Sequence, residues 1–444
     1  MGQVEALGKG SHMIPTLVLF VGFFVLIIVG IPIPFALILS SLVVFWMNPA
    51  TPAWVLAQRA VSGIDSFVLV AIPFFILAAN IMNAGGITER LIKLAMAMVG
   101  HIRGGLSHVT VVVGMFFAGI SGSSVAESAA LSSLFIPAMV RRGYRKNFAV
   151  AITACASTMG VIIPPSILMV IYGAVASASI GALLIGGALP GVLIGLALLS
   201  GGYVVAIRHG YPPEVERWLG LRAILAGLRE SVLPLGVPFI IVGGILSGYF
   251  TPTESAVVAT LYAMLITMAV YRTVSFRGLL TLFAEAGMLT ALIYLTVAAA
   301  TAFGWLLAFY KVPSLVTDLL LSVTDQPRPV ILLVVVLFTF LGTFMDATPA
   351  ILIFVPLILP VAEKVGLHPI HLGVVVVMTM AFGLITPPYG LCTLIACGMA
   401  EYPVGKVMGM LTFLMVVEFL IILLCAYFPE IVLFLPRLVA PQWL

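Results

Sequence analysis

Hydrophobic residues fall along this chain in long unbroken runs, without the striping of a soluble amphipathic helix or the alternation of a half-buried strand. A run of about 20 apolar residues crosses a bilayer as a helix. Such runs lie near 14–30, 33–47, 66–84, 148–177, 181–206, 232–249, 254–271, 286–310, 371–399 and 407–428. Two further stretches, 105–137 and 330–360, are too long for one helix, and small or polar residues interrupt each: AGISGSSVAES (118–128) and LGTFMDATP (341–349). Each is predicted to enter the membrane, turn at mid-depth and leave by the same side, as a re-entrant hairpin. Amphipathic arms remain between the spans, at about 52–63, 86–103, 276–286 and 313–323. The segment GGITERLIKLAMAMVGHIRGG (85–105) suits a helix lying in the interface.

Two apolar runs are broken in the middle, by GVIIPPS (160–166) and GLITPPY (383–389). A Pro-Pro pair after Gly stops a helix. In lipid the freed N–H and C=O groups are tolerated only where they face protein or a wet cavity. The two breaks are related. Sliding the chain by 223 residues superposes Gly119 on Gly342, Pro137 on Pro360, Gly143 on Gly366, Gly160 on Gly383, Pro164 on Pro387 and Pro165 on Pro388. Chance predicts roughly 0.6 such coincidences for this Gly and Pro content. The chain therefore reads as two related halves.

Composition agrees with the pattern. Of 444 residues, 62% are hydrophobic and 8% charged, against about 25% charged in soluble domains. This is an integral membrane protein that crosses the bilayer many times. A net charge of +4 bears on orientation and gives no reason to expect nucleic acid. Cys155, Cys392, Cys397 and Cys425 sit in apolar segments without a disulfide or zinc pattern, as small core residues.

Basic loops orient the chain. RRGYRK (141–146) follows the first hairpin, whereas the matching KVGLH (364–368) holds one Lys. With 141–146 cytoplasmic, the basic loops 208–229 and 272–277 also fall inside, 361–369 falls outside, and both termini are periplasmic. The halves are then inverted, with one hairpin entering from each side. Inverted repeats whose broken helices meet near the midplane are the architecture of secondary transporters. Half-helix C-termini offer carbonyls to a cation such as Na⁺, and N-termini favour an anion. A structural kink packed against its neighbours is the plainer reading of either break.

AGISGSSVAESAA followed by GVIIPPS, then FMDATP followed by GLITPPYG, resemble the large membrane subunit of tripartite ATP-independent periplasmic (TRAP) transporters, the DctM type. The resemblance covers essentially the whole chain from Met13. It implies a Na⁺-coupled importer of a small organic acid in the bacterial inner membrane, working by an elevator motion. Its partners would be a small four-helix membrane subunit (DctQ type), a periplasmic substrate-binding protein and the surrounding lipids. Glu127 stands where typical members have Asp, which weakens any specific role for that side chain.

Carried over by motif, Ser121, Ser166 and Asp346 would line the substrate cavity. A first Na⁺ site would involve Ser121, Ser123, Ser124, Gly160 and Ile163, and a second Gly342, Gly383, Thr386 and Tyr389, largely through backbone oxygens. Hard cations take oxygen ligands, and Gly permits the close approach that a carbonyl cage needs. Asp346, at mid-membrane depth, either caps the following half-helix or serves the substrate or ion; an idle Asp there costs roughly 2.5–3.5 kcal/mol. Glu418 sits mid-span and is expected to face the small subunit or a neighbouring Arg. Glu285 and Asp318 are expected near element ends, and His368 and His371 at the interface without a metal.

The resulting architecture is all-α, with two inverted repeats and an elevator-type scaffold around a transport domain. Residues 1–12 read as an expression-tag scar, with Met13 the native start and no cleavable signal peptide. Scaffold and arm take 13–65, and the transport core of repeat 1 takes 66–206, with its hairpin at 105–137 and broken helix at 148–177. A cytoplasmic amphipathic linker covers 207–230. Repeat 2 places scaffold and arm at 231–285 and core at 286–428, with its hairpin at 330–360 and broken helix at 371–399. A periplasmic tail, 429–444, closes the chain. Two other readings compete: a stand-alone Na⁺/dicarboxylate symporter of the same superfamily, and a membrane-embedded hydrolase using Ser121 or Ser124 with Glu127 or Asp346. The hydrolase lacks the His or Lys base that serine chemistry needs, and no nucleotide-binding or redox motif is present.

Overall fold

The computed structural model describes the backbone of residues 2–47, 52 and 54–443, and the side chains of residues 14–47, 52, 54–322 and 324–443. The tag-like segment 1–12 lies outside the described side chains. Described residues form twenty α-helices and no strand. Seven helical segments among them are long and apolar enough to cross a membrane.

The first half opens with α1 (Gly2–Ile28), α2 (Ile33–Met47) and a short amphipathic α3 (Trp54–Ile64). Then come α4 (Ala71–Ala84), α5 (Ile87–Val99) and two helices joined by a two-residue turn, α6 (Gly105–Ser121) and α7 (Ser124–Arg141). The run predicted at 148–177 is two helices, α8 (Lys146–Ser157) and α9 (Ile167–Ala176), with a 3₁₀ turn over Thr158–Val161 between them. The long α10 (Ile180–His209) ends where Gly210 turns the chain at φ 68°, with Arg208 and His209 in its last turn, where cations suit the helix dipole.

The second half follows the same order. It begins with α11 (Gly220–Leu246) and α12 (Pro252–Leu265), the latter started by Pro252 and a Thr251–Glu254 capping box. After α13 (Phe276–Phe309) and α14 (Val312–Val323) come the paired α15 (Pro327–Gly342) and α16 (Ala347–Lys364). The second Pro-Pro break separates α17 (Pro369–Gly383) from α18 (Leu391–Met399). Finally α19 (Val404–Tyr427) and α20 (Pro429–Val439) complete the chain.

The packing is pairwise. α4 lies on α12, α5 on α11, and α2 and α3 on α13; α7 lies on α8 and α18, α15 on α17, and α16 on α9 and α13. The four cysteines are free and buried.

Several expectations are corrected. The arm predicted at 276–286 is not separate: α13 is one helix of 34 residues, about 51 Å long. A lone Gly287 costs the helix only about 1 kcal/mol and does not stop it. The linker predicted at 207–230 shrinks to 210–219, because GLRAILAGLRE (220–230) continues as α11. That short linker is pinned. Glu214 N–H donates to Gly100 O (2.9 Å), Gly104 N–H to Pro212 O (3.2 Å), and Arg145 N–H to the Tyr211 hydroxyl (3.0 Å). Tyr211 stacks on Tyr144 at 4.3 Å, and Arg142 pairs with Glu214 at 2.7 Å. The tail 429–444 is mostly the helix α20, packed on α10.

His371 is buried against the Cys425 carbonyl (3.0 Å) and not interfacial. Glu418 is 0% exposed, so it does not reach an outer surface, and no described side chain hydrogen-bonds its carboxylate. Glu285 lies ten residues inside α13 on an exposed face, not near an element end. Asp318 is exposed, within α14.

Candidate functional site

The two helix pairs meet the two breaks. At the α6–α7 turn, Gly122 takes φ +63°, a left-handed conformation that Gly adopts without penalty. Ser123 then caps α7, accepting from Ala126 N–H (3.4 Å). This turn rests on the first break. Ile167 N–H donates to Gly122 O (3.4 Å), and Ser124 Oγ donates to Thr158 O (3.2 Å). A Cβ placed on Gly160 would run into the Glu127 carboxylate and lie 3.1 Å from the Ser123 carbonyl oxygen. Both Glu127 carboxylate oxygens are buried, with no hydrogen-bond partner among the described residues.

Break-side polar groups are ordered by the chain itself. Ser166 caps α9, accepting from Met169 N–H (3.2 Å), and donates its hydroxyl to Val161 O. Ser121 Oγ accepts from Ser123 N–H (3.4 Å). Both serines are buried. Ile163 is half-buried beside Gly191, whose hypothetical Cβ its side chain would meet.

The second pair repeats the arrangement with different chemistry. Gly342 and Gly383 touch backbone to backbone: a Cβ on Gly383 would lie 2.5 Å from Gly342 Cα, and one on Gly342 2.8 Å from Gly383 Cα. Tyr389 N–H donates to Thr343 O (3.1 Å), tying this break to its own turn. Within the break, Thr386 Oγ1 donates to Phe382 O (2.8 Å), Thr393 Oγ1 to Ile385 O (2.9 Å), and Cys392 N–H to Leu384 O (2.9 Å). Asp346 caps α16, with Oδ1 accepting from Ala347 N–H (2.9 Å). The halves also interlock, since Ser128 Oγ on α7 donates to Cys392 O on α18 (2.9 Å).

Beside the second turn lies a cavity of about 510 Å³. Asp346, Thr348 and Tyr389 line it, opposite Thr296 of α13 and Ile31–Pro34, the end of the α1–α2 turn and the first residues of α2. Asp346 is the one carboxylate in the lining, which contains no basic residue. Ser121 and Ser166 do not line this cavity. Asp346 and Tyr389, assigned from sequence to different sites, are brought together there. Sequence reasoning missed Thr296, the Pro-rich turn, Thr158 and Cys392. IPIP (31–34) was the available signal, because a Pro-rich turn between two apolar runs marks a fixed loop. No described group of three or more His, Cys, Asp or Glu could hold a metal ion.

An all-helical, polytopic membrane protein with two matched helix breaks, each closed by the turn of a helix pair, belongs to the class of transporter permeases. Residues 20–431 match the family described as Tripartite ATP-independent periplasmic transporter, DctM component, and the chain belongs to that family. It is 38% identical to the sialic acid TRAP transporter large permease SiaM of Vibrio cholerae over 94% of this chain and 97% of that one. It is 39% identical to the C4-dicarboxylate TRAP transporter large permease DctM of Pseudomonas aeruginosa, over 84% and 87%. The YdaH transporter of Alcanivorax borkumensis shares the fold, with TM-score 0.59 at 14% identity, covering 84% of this chain and 86% of that structure. The chain is a permease and not an enzyme, which removes the hydrolase reading.

Proposed function

We propose that this chain is the large permease subunit of a tripartite system that imports a small organic acid with Na⁺ across the bacterial inner membrane. The observation that carries the reading is the close approach of a turn to a broken helix at two points, Ser123 and Glu127 to Gly160 and Gly342 to Gly383. Carbonyl oxygens of the turn and of the broken helix would supply the ligands there, a donor type suited to a small hard cation. Ser121, Ser123, Ser124, Gly160 and Ile163 would hold one Na⁺, and Gly342, Gly383, Thr386 and Tyr389 the other. The unpartnered Glu127 carboxylate beside Gly160 fits a nearby cation.

Charge explains why Na⁺ would be a co-substrate. The Asp346 cavity holds a carboxylate and no base, so an organic acid cannot be held there by an ion pair. Bound cations would supply the missing positive charge, while the Thr296, Thr348 and Tyr389 hydroxyls and backbone groups orient the solute. The named relatives carry sialic acid and C4-dicarboxylates, and a carboxylate is common to both. Ser121, bonded within the α6–α7 turn, and Ser166, which caps α9, would reach solute only after the core shifts.

With 141–146 cytoplasmic, α6–α7 opens inward and α15–α16 outward, giving inverted repeats and periplasmic termini. The Asp346 cavity lies between the core turn and α1, α2 and α13. Sliding the core past a scaffold made with α11 and α12 would carry that cavity across the membrane, as an elevator does. This division departs from the boundary read from the sequence at 285/286, because α13 runs unbroken from 276 to 309 and would belong to the scaffold. A small four-helix subunit and a periplasmic binding protein complete the system.

Uptake of succinate and N-acetylneuraminate into proteoliposomes tests the reading, with and without an inward Na⁺ gradient, the small subunit and the binding protein. Uptake that needs all of them supports it. Uptake by this chain alone would favour the stand-alone symporter, and uptake indifferent to Na⁺ would remove the coupling.

A further inference from the structure

A second cavity, of about 470 Å³, lies on the same seam between α13 and α16 as the Asp346 cavity. Along α13 the Asp346 cavity uses residues 292–296 and the second uses 297–305. Along α16 the division falls between Pro349 and Leu352. The two cavities are thus placed end to end, with Val297 and Leu352 where they approach. In the orientation proposed above, on which this inference rests, α13 runs from cytoplasm to periplasm, so the second cavity is the outer one.

Their charges are opposite. The inner lining has Asp346 and no base; the outer has Arg59 and no acid. Arg59 comes from α3, and its guanidinium carbon sits 5.4 Å from the centroid of the Trp305 ring. Trp305 is itself stacked on Phe45 (5.7 Å) and on Phe309 (5.2 Å), so the cation rests on a braced aromatic platform. No described carboxylate lies within ion-pair distance of Arg59. Ser62 and Thr301 add hydroxyls to the lining, and Ile171 and Leu352 close the core side. A guanidinium without a counter-ion, beside hydroxyls and above an aromatic ring, is a receptor for a carboxylate, which it binds through two parallel N–H···O bonds.

We propose that the outer cavity is a binding site for the carboxylate of a small organic acid, anchored by Arg59, which the solute occupies at the outer end of the seam before reaching Asp346. The order of charges suits this task. A cationic group captures the anion without help from Na⁺, and the acid-lined inner cavity accepts it only together with cations. Coupling would then be enforced at the inner step and not at capture.

Succinate and N-acetylneuraminate are the probes, titrated into the full chain in lipid nanodiscs without Na⁺ while tryptophan emission is followed; Trp305→Phe identifies the contribution of that ring. Uptake by the complete tripartite system is measured in parallel. Arg59→Gln should raise the half-saturating probe concentration about tenfold in the titration, the loss expected for one charge-assisted contact. Uptake KM should rise with it while Vmax is nearly kept, and Arg59→Lys should recover part of both. Gly304→Leu fills the cavity from a position where a Cβ meets nothing within 4 Å, and should weaken binding with Arg59 intact. If Arg59→Gln aggregates on gel filtration, the Gly304→Leu titration decides. Wild-type half-saturation in these variants, or no emission response of the wild type to either probe, overturns the proposal. A wild type that fails to transport would count against the transport reading, and the nanodisc titration would still decide the cavity.

Discussion

Gly383→Ala adds one methyl where two backbones touch. The new Cβ would lie 2.5 Å from Gly342 Cα and 2.8 Å from Gly342 C. Carbon atoms at rest sit about 3.5–4.0 Å apart, so the α15–α16 turn and the second break must part by about 1 Å. No flexible side chain can move aside, because both partners are main chain. Overpacking of this kind costs roughly 1–3 kcal/mol, and Ala in place of Gly at a helix end returns at most about 1 kcal/mol. A net 1–2 kcal/mol falling on a carbonyl cage would raise half-saturating Na⁺ roughly five- to thirtyfold. The assay is initial uptake against Na⁺ concentration in proteoliposomes, with melting followed by fluorescence-detected gel filtration. Gly398→Ala and Gly409→Ala are the controls, since a Cβ at either position meets nothing within 4 Å. Those two should match the wild type or melt slightly higher. An unchanged Na⁺ dependence for Gly383→Ala, or equal damage in the controls, would refute the reasoning.

Asp346→Asn should abolish or strongly reduce uptake while the protein stays folded, because Asn also caps a helix; near-normal uptake would remove Asp346 from the site. Asp346→Ala should in addition lose about 1 kcal/mol of stability with the cap to Ala347, read as a lower melting temperature than that of Asp346→Asn. Ser166→Ala removes both the α9 cap and the bond to Val161, and should cost about 1–2 kcal/mol as well as slowing uptake. Glu418→Gln keeps the shape of a fully buried group and should leave melting within about 1 kcal/mol of the wild type. Glu418→Arg, which places a longer side chain of opposite charge at a fully buried position, should cost several kcal/mol and fail to yield monodisperse protein.

Much of the site's punctuation was legible because Gly and Pro act locally. Gly160, Gly383 and the Pro-Pro pairs stop helices wherever they stand, and the 223-residue offset between them needs no fold to be seen. The turns at Gly122 and Asp346 were legible for a similar reason, as polar interruptions that an apolar helix does not tolerate in lipid. Helix ends were less legible. Arms and linkers merged into α11 and α13 because helix-forming residues continue across the interface, where no periodic signal marks the boundary. Side-chain surroundings were not legible at all. The sequence shows Glu418 only as a charge within an apolar run, and its full burial follows from α8 and α10 packing around α19.

The one-dimensional pattern alone determined the class, the positions of both breaks and the family, since each depends on residue type and spacing. Tertiary structure decided that Asp346 and Tyr389 share a cavity with Thr296 and Ile31–Pro34. It also decided that Ser121 is bonded within its own turn, that Ser166 is spent on the α9 cap, and that Arg59 rests on Trp305 at the far end of the same seam. The physical reason is reach. Propensity and hydropathy act over a few residues, whereas a cavity is made by surfaces hundreds of residues apart, whose meeting depends on how every helix between them packs.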